Sequence, residues 1–313
     1  MNRKYSLGQL GDYEIKQLKI FKTIVECGGF SAAEAQLNIS RPTISIHIAN
    51  LESRLNLTLC KRGRGGFSLT EEGKVIYEQT HHLLDALEGF RNTINNLSSS
   101  PSGQLKVALS DTFSTDSRCQ LTDIIRNFNA EAPDVELKIT VEHMVDMERK
   151  VLSDELDIAF IPYHRKLEGL EYIHLFSDRC YLYCGPGNAM FDLDDADISD
   201  QLINSIPLIH AGLKPHEEVY AQIAEMNLMA VSYHYEARIA LLLSGIYASF
   251  LPETYAQPFV ERGELRRVAP DKRFYTLGAA AISKKSAQPN RARTLFLNTV
   301  RGIHPDGGKL APY

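Results

Sequence analysis

Between residues 40 and 64 the chain gathers side chains that donate hydrogen bonds or carry positive charge: Ser40, Arg41, Thr43, Ser45, His47 and Asn50, then Lys61, Arg62 and Arg64. Their common chemistry is donation to phosphate oxygens and to the edges of bases. Spacing says how they are presented. Ser40 can cap a helix, and Pro42 sits in the first turn, where its missing amide hydrogen costs nothing. Apolar Ile44, Ile48, Leu51 and Leu55 follow at steps of four, three and four, so one face packs inward. Arg41, Thr43, Ser45, His47 and Asn50 are left on the other face, near a helix N-terminus whose free amides and dipole favour phosphate.

Other elements must hold that helix. A first helix is expected over 12–27, with Asp12 as cap, Ile15, Leu18, Phe21, Ile24 and Val25 as core face, and Gly28-Gly29 as its end. Ser31 followed by Glu34 has the spacing of a capping box and predicts a short helix over 31–37, broken by Asn38-Ile39. Two short helices joined by a turn form a helix-turn-helix, whose second helix enters the major groove. The glycine-rich KRGRGG run between the apolar pieces 57–60 and 67–69 reads as a hairpin with a basic tip. Alone it would be a solvated turn; directly after a helix-turn-helix it reads as a wing that contacts phosphate.

Charge supports this division. The chain carries a net charge of −5, but residues 1–70 hold ten Lys/Arg against five Asp/Glu and the remainder 24 against 34. Basic charge is concentrated where the groove-binding helix lies.

The run 30–73 resembles the DNA-binding domain of the LysR-type transcriptional regulators. The residues that carry the resemblance are Phe30, Ser31, Ala32 and Ala33; Ser40, Pro42, Ile44 and Ser45; Leu51 and Glu52; and Leu69, Thr70 and Gly73. One position departs: Ile46 stands where the family usually has Arg. An apolar side chain there cannot donate to phosphate or guanine but can touch a thymine methyl.

Thr70 caps a long helix expected over 71–97. Ile76, Thr80, Leu83, Leu87, Phe90, Ile94 and Leu97 form a heptad seam, and the resemblance implies a dimerisation helix. A dimer would read two-fold related half-sites of a promoter operator, and the family implies pairing of dimers into tetramers, with RNA polymerase open as a further partner. The small, polar stretch 98–103 reads as a hinge. Beyond it strands and helices alternate, which predicts a mostly parallel sheet covered by helices. Expected strands are 105–109, 135–141, 156–161, 181–184, 207–210, 229–233, 248–251 and 277–282. Expected helices are 116–129, 144–152, 217–226, 236–243 and 290–301.

Family markers continue through this region. Ala132-Pro133-Asp134-Val135, Glu155-Leu156-Asp157-Ile158-Ala159 and Gly245 to Pro252 stand where the family has similar runs, with Tyr247 in place of a second glycine. The resemblance implies an α/β fold overall: an N-terminal winged helix-turn-helix (1–70), a linker helix (71–97), a hinge (98–103) and a two-lobed effector domain like periplasmic binding proteins (104–313). Lobe I would take about 104–162 and 268–303, and lobe II about 163–267.

In open α/β sheets ligands sit beyond the carboxyl ends of strands. After the first strand of this region that place is Ser110, Asp111 and Thr112. Alignment with the family's pocket adds Met144, His210 and His234. Together they suggest a small polar effector in the interlobe cleft; Asp111 would disfavour a dianion and could meet an amine.

Cys180 and Cys184 raise a redox-responsive alternative. Read as one strand beginning after Arg179, they lie ~13 Å apart, beyond the ~7 Å a disulfide spans. An enzyme with an appended DNA-binding domain is the other alternative, but no GxGxxG, P-loop, nucleophile elbow or HExxH motif occurs. No catalytic residue, metal site or cofactor is expected. The N-terminus lacks the apolar core of a secretory signal, and the apolar run 239–251 falls short of the ~18 residues of a membrane span. A cytoplasmic protein without membrane partners is expected.

Overall fold

The computed structural model describes residues 9–61, 66–96, 101–287 and 289–305. The chain divides into two compact units, Met1–Arg91 and Asn92–Tyr313.

The first unit holds α1 (Asp12–Glu26), α2 (Phe30–Leu37), α3 (Arg41–Leu55), a two-stranded antiparallel wing of β1 (Cys60–Lys61) and β2 (Ser68–Leu69), and the start of α4 (Glu71–Asn96). The wing residues Arg62 and Arg64 lie outside the described residues. Ile44, Ile48 and Leu51 of α3 are fully buried with Phe21, Ile24 and Ala33. Side chains of this size contribute roughly 1.5–3 kcal/mol each on burial, so the apolar face of α3 fixes which face remains outward. Asn38 and Asn56 adopt left-handed backbone, φ +52° at each, and end α2 and α3.

Capping differs from expectation at each of these helices. Gly11, not Asp12, occupies the cap of α1, and the Glu14 carboxylate accepts its amide hydrogen at 2.8 Å. The Ser31–Glu34 capping box does not form. Helix α2 already begins at Phe30, capped by Gly29, which places Ser31 inside the first turn. Glu34 instead accepts from the Arg41 amide, so the carboxylate of α2 caps α3. Ser40 occupies the α3 cap position without a side-chain bond to the helix backbone; its hydroxyl hydrogen-bonds that of Thr43 at 2.9 Å instead.

The second unit contains a mixed sheet with two parallel ends. Lobe I supplies β3 (Gly103–Leu109), α5 (Leu121–Glu131), β4 (Val135–Val141), α6 (Met144–Leu152), β5 (Ile158–Tyr163) and the C-terminal α11 (Arg291–Ile303). Lobe II supplies α7 (Asp200–Ser205), β7 (Pro207–His210), α8 (Glu217–Ile223), β8 (Asn227–Val231), α9 (Tyr235–Leu243), β9 (Ala248–Pro252) and α10 (Glu253–Glu261). Two long strands, β6 (Leu170–Cys184) and β11 (Phe274–Lys284), run antiparallel to each other between the lobes, and β10 (Arg266–Arg267) pairs with β6. The strand order is β4-β3-β5-β11-β6-β9-β7-β8.

Parallel pairing therefore holds within each lobe, β4-β3-β5 and β9-β7-β8, whereas the crossing strands are antiparallel. The expected strand 181–184 is the far end of β6, which starts at Leu170; Leu170 and Ile173 pack with lobe I and Cys180, Leu182 and Cys184 with lobe II. The expected helix 116–129 is also different. A short 3-10 turn, Ser117–Cys119, precedes Gln120 at φ +49°, and only then does α5 begin.

Candidate nucleic-acid interface and effector cleft

On α3, Arg41, Pro42, Thr43 and Asn50 are exposed, Ile46 is 60% exposed, and Ser45 and His47 are half-buried. Ser40 and Ser31 are exposed at the starts of α3 and α2, and Lys61 is exposed at the base of the wing. One helix face thus presents a guanidinium, hydroxyls and one sec-butyl group, with further donors on either side. Tyr13 of α1, absent from the sequence reading, braces the rear of this face. Asn50 donates to its phenol oxygen at 3.1 Å, and its ring lies 6.0 Å from that of His47. These two side chains are held against α1, while Arg41, Thr43, Ser45 and Ile46 remain directed outward.

Two motif residues show why the wing follows α3 so closely. The Glu52 carboxylate accepts from the Leu59 and Cys60 amides at 2.7 and 3.2 Å, fixing the turn from helix to strand. Gly73 lies against Leu59, where an added Cβ would meet the carbonyl oxygen at 2.0 Å, so only glycine admits this approach. Thr70 caps α4 through the Gly73 amide at 2.8 Å. Along α4, Ile76 and Leu83 pack into the first unit's core and Thr80 is buried. Phe90 and Ile94, further along the seam, are 64% and 51% exposed. Leu97 lies outside the described residues.

In the second unit the cleft between lobes holds two chambers that share Ser110, Asp111, Pro162, Tyr235 and Leu277. The larger, of about 250 Å³, is lined by Thr112, Asp116, Asp178 and the rings of Phe113, Phe176, Tyr255 and Phe259. The smaller, of about 130 Å³, is lined by Met144, His164, His210, Lys214, His216, Tyr233 and Arg238 over an apolar floor. Ser110, Asp111 and Thr112 thus meet at the cleft as the end-of-strand rule suggested, and Met144 and His210 face the smaller chamber. His234 lines neither; its side chain is 56% exposed, 3.7 Å from Asp111.

Two reciprocal bonds tie the lobes. Asp111, from lobe I, accepts from the Tyr235 amide at 2.7 Å and so caps α9 of lobe II. Tyr233, from lobe II, accepts through its phenol oxygen from the Met144 amide at 3.1 Å, the first residue of α6 in lobe I. Its ring stacks on His143 with centroids 3.6 Å apart. Ser110, 3% exposed, lies between them, its hydroxyl 3.4 Å from both the Asp111 carboxylate and the Tyr233 phenol. The next residue in the loop, Thr112, holds φ +76°, a conformation that costs a side-chain-bearing residue free energy and is kept by its surroundings.

Charge is sorted between the chambers. Two carboxylates of the larger chamber, Asp116 and Asp178, are bridged by Arg118 at 2.6 and 2.8 Å. Burial opposes the guanidinium's charge, but the two carboxylates outweigh it and hold its pKa above the usual value. In the smaller, the imidazoles of His164 and His216, one from each lobe, stack at 4.2 Å with 10° between planes. Burial, then His216 and Arg165, push His164 down to about 4. Sequence reading missed Tyr233, Tyr235, Arg238, His164 and His216. The same end-of-strand rule, applied to β5, would have pointed to His164.

The cysteines are free. Burial pushes the Cys119 and Cys184 thiols up to about 12 and Cys180 higher still, which keeps them protonated and poorly nucleophilic. Among the described residues no cluster of His, Cys, Asp and Glu is arranged to hold a metal, and no helix is long and apolar enough to cross a membrane.

Comparison with known proteins agrees with this arrangement. Residues 15–74 match the bacterial regulatory helix-turn-helix protein, lysR family, and residues 98–302 match the LysR substrate binding domain. The chain belongs to the LysR family of transcriptional regulators. This LysR-type regulator is 36% identical over 299 residues to the HTH-type transcriptional activator BauR of Pseudomonas aeruginosa, covering 96% of this chain and 98% of that protein. It is 22% identical over 296 residues to the HTH-type transcriptional regulator CzcR of Bacillus thuringiensis, covering 93% and 95% of the two. Among solved structures, full-length CbnR complexed with its target DNA shares the fold with a TM-score of 0.63 at 19% identity, covering 92% and 99% of the two chains. The Vibrio cholerae virulence activator AphB does so with a TM-score of 0.59 at 17% identity, covering 92% and 98%. The LysR-type chain thus joins a DNA-binding helix-turn-helix domain to an effector-binding domain.

Proposed function

We propose that this regulator binds a two-fold promoter operator through α3 and the wing, and that a small effector in the interlobe cleft controls that binding. The outward face of α3 carries the reading. Arg41, Thr43, Ser45 and Ile46 read base edges, with His47 and Asn50 behind them. Ser31, Ser40 and the first turn at Pro42, together with Lys61, Arg62 and Arg64, hold the phosphates. Domain roles follow the division 1–70 for DNA, 71–97 for pairing, 98–103 as hinge and 104–313 for the effector.

Pairing into a homodimer, and of dimers into a tetramer, is supported by apolar surface left open. Phe90 and Ile94 stand out on α4. The two end strands of the sheet expose Ile139 and Val141 on β4 and Leu228, Met229 and Val231 on β8. Unpaired apolar strand edges of this kind are normally covered by another chain. The likeness to a relative named as an activator supports activation, with RNA polymerase as the further partner, in the cytoplasm.

The cross-lobe bonds supply the coupling. Asp111 and Tyr233 each cap a helix of the opposite lobe, and both line the cleft. A ligand that donates a hydrogen bond to either oxygen competes with a cap and changes the balance between lobe arrangements. The direct test is operator binding by fluorescence anisotropy at graded salt, with and without cleft ligands, for the parent and for Ser110→Ala/Thr112→Ala. We expect salt-sensitive, sequence-selective binding whose ligand response is lost in the double variant. An unchanged response would contradict the cleft assignment.

A further inference from the structure

Arg238 is the charged group in the cleft whose environment is least explained by the fold. It is 5% exposed and lines the smaller chamber. Its guanidinium donates to the carbonyls of Ser232, Phe250 and Tyr233 at 2.8, 3.1 and 3.4 Å and lies 5.0 Å from the Tyr235 ring centre. Among the described residues no ion pair joins it to a carboxylate. Carbonyl dipoles orient a guanidinium but do not neutralise it, so among the described residues this buried positive charge has no carboxylate bonded to it.

The remaining polar wall has the same character. Lys214 lines this chamber, and His216 presents a buried Nε2 without a hydrogen-bond partner. The stacked His164 completes the wall from the opposite lobe. Between these groups the lining is apolar: Leu208, Ile209, Val219, Ile223, Phe250 and Leu277. Ser110 and Asp111 line the same chamber and supply its acceptors.

We propose that the smaller chamber takes a monocarboxylate, its carboxylate against Arg238, Lys214 and His216, its apolar body on the floor, and any donor group toward Asp111. This deepens the effector-cleft reading and rests on it. A charge-assisted pair would satisfy both the guanidinium and the open ring nitrogen. A second carboxylate would approach Asp111, so dicarboxylates bind worse than monocarboxylates of equal length. Because His164 follows β5 of lobe I and His216 belongs to lobe II, an anion held against His216 sits where the stacked pair joins the two lobes and favours that contact.

The test uses matched probes on the full-length protein: butyrate against butyramide, benzoate against benzamide and benzylammonium, and butyrate against succinate. Binding is read by thermal shift and calorimetry. We expect the monocarboxylates to raise Tm and to bind at least tenfold more tightly than the corresponding amides, with benzylammonium and succinate weaker. Lys214→Ala and His216→Ala should each weaken carboxylate binding severalfold, their unliganded Tm reporting that the fold is intact; Arg238→Lys should retain part of it. Equal binding of amides, preference for benzylammonium, or no binding by any carboxylate of the panel overturns the proposal. Operator affinity measured on the same samples separates the two readings. A carboxylate that binds without changing operator affinity supports the ligand class and contradicts effector control. An amide or amine that changes operator affinity does the reverse.

Discussion

Ile46 sits 60% exposed in the middle of a face made of hydrogen-bonding groups. If that face reads base edges as proposed, Ile46 meets a thymine methyl, and Ile46→Arg should move base preference at that position from thymine toward guanine, by roughly 1–3 kcal/mol of discrimination. Selection of binding sites from randomised DNA reads this directly. Arg41→Ala should weaken operator binding and relax base preference, whereas Lys61→Ala, at a proposed phosphate contact, should lower the magnitude of the slope of log K against log salt by about 1. In the cleft, Asp111→Ala removes the cap of α9, a loss of about 1 kcal/mol, seen as a lower Tm, and because the same bond couples the lobes it should also shift operator affinity in the absence of ligand. His164 gives a pH signature. Its folded-state pKa is depressed to about 4 from an ordinary 6.5, so the unfolded chain binds more protons between these values. Stability is fully present above about 6.5 and falls as pH drops toward 4. Chemical denaturation across that range should show a shallower slope for His164→Gln. Of these residues, those on α3 were legible in the sequence because an apolar stripe defines their face. Arg238 was not, since only the fold shows that it is buried and lines a chamber.

At the scale of elements, α4 divides into a half that its own domain covers and a half that it does not. Phe90→Glu should therefore shift the molecule from dimer toward monomer in sedimentation velocity while leaving the Tm of the DNA-binding unit nearly unchanged, because Phe90 contributes little to that core. A loss of folding instead would mean that the seam packs within the monomer. The long helix, α1, α3 and α6 were readable because period and punctuation agreed. The start of α2 was misassigned for a physical reason: Gly29 and Glu34 serve α2 and α3 differently from the local spacing, and a carboxylate that caps the next helix looks in sequence like one that caps its own. Strand β6 was mostly missed because Glu171, Ser177, Asp178 and Arg179 interrupt its apolar pattern where it crosses between lobes, and such a strand needs its neighbours β11 and β9 to be defined. Helix α10 was hidden by Pro258, tolerated inside it.

Across the whole molecule, DNA recognition and ligand recognition occupy separate compact units. Family membership says that both operate in one regulator, and the open apolar surfaces on α4, β4 and β8 are the ones proposed above for assembly. Met229→Lys on β8 should weaken the association of effector domains, seen as a shift to smaller species at equal concentration. Fold class and the exposed polar face of α3 could be read from sequence, because each depends on local pattern. The sorting of charge between two chambers could not, since it is made by side chains from strands and helices far apart in the chain. The central claim is that α3 is presented twice to a specific duplex. Footprinting of the full-length protein on the DNA upstream of its neighbouring genes, at graded salt and with excess competitor, tests this most directly. The prediction is protection of two half-sites related by a two-fold axis, lost in Arg41→Ala/Ser45→Ala. Uniform protection, or none in excess of competitor at low salt, would contradict it.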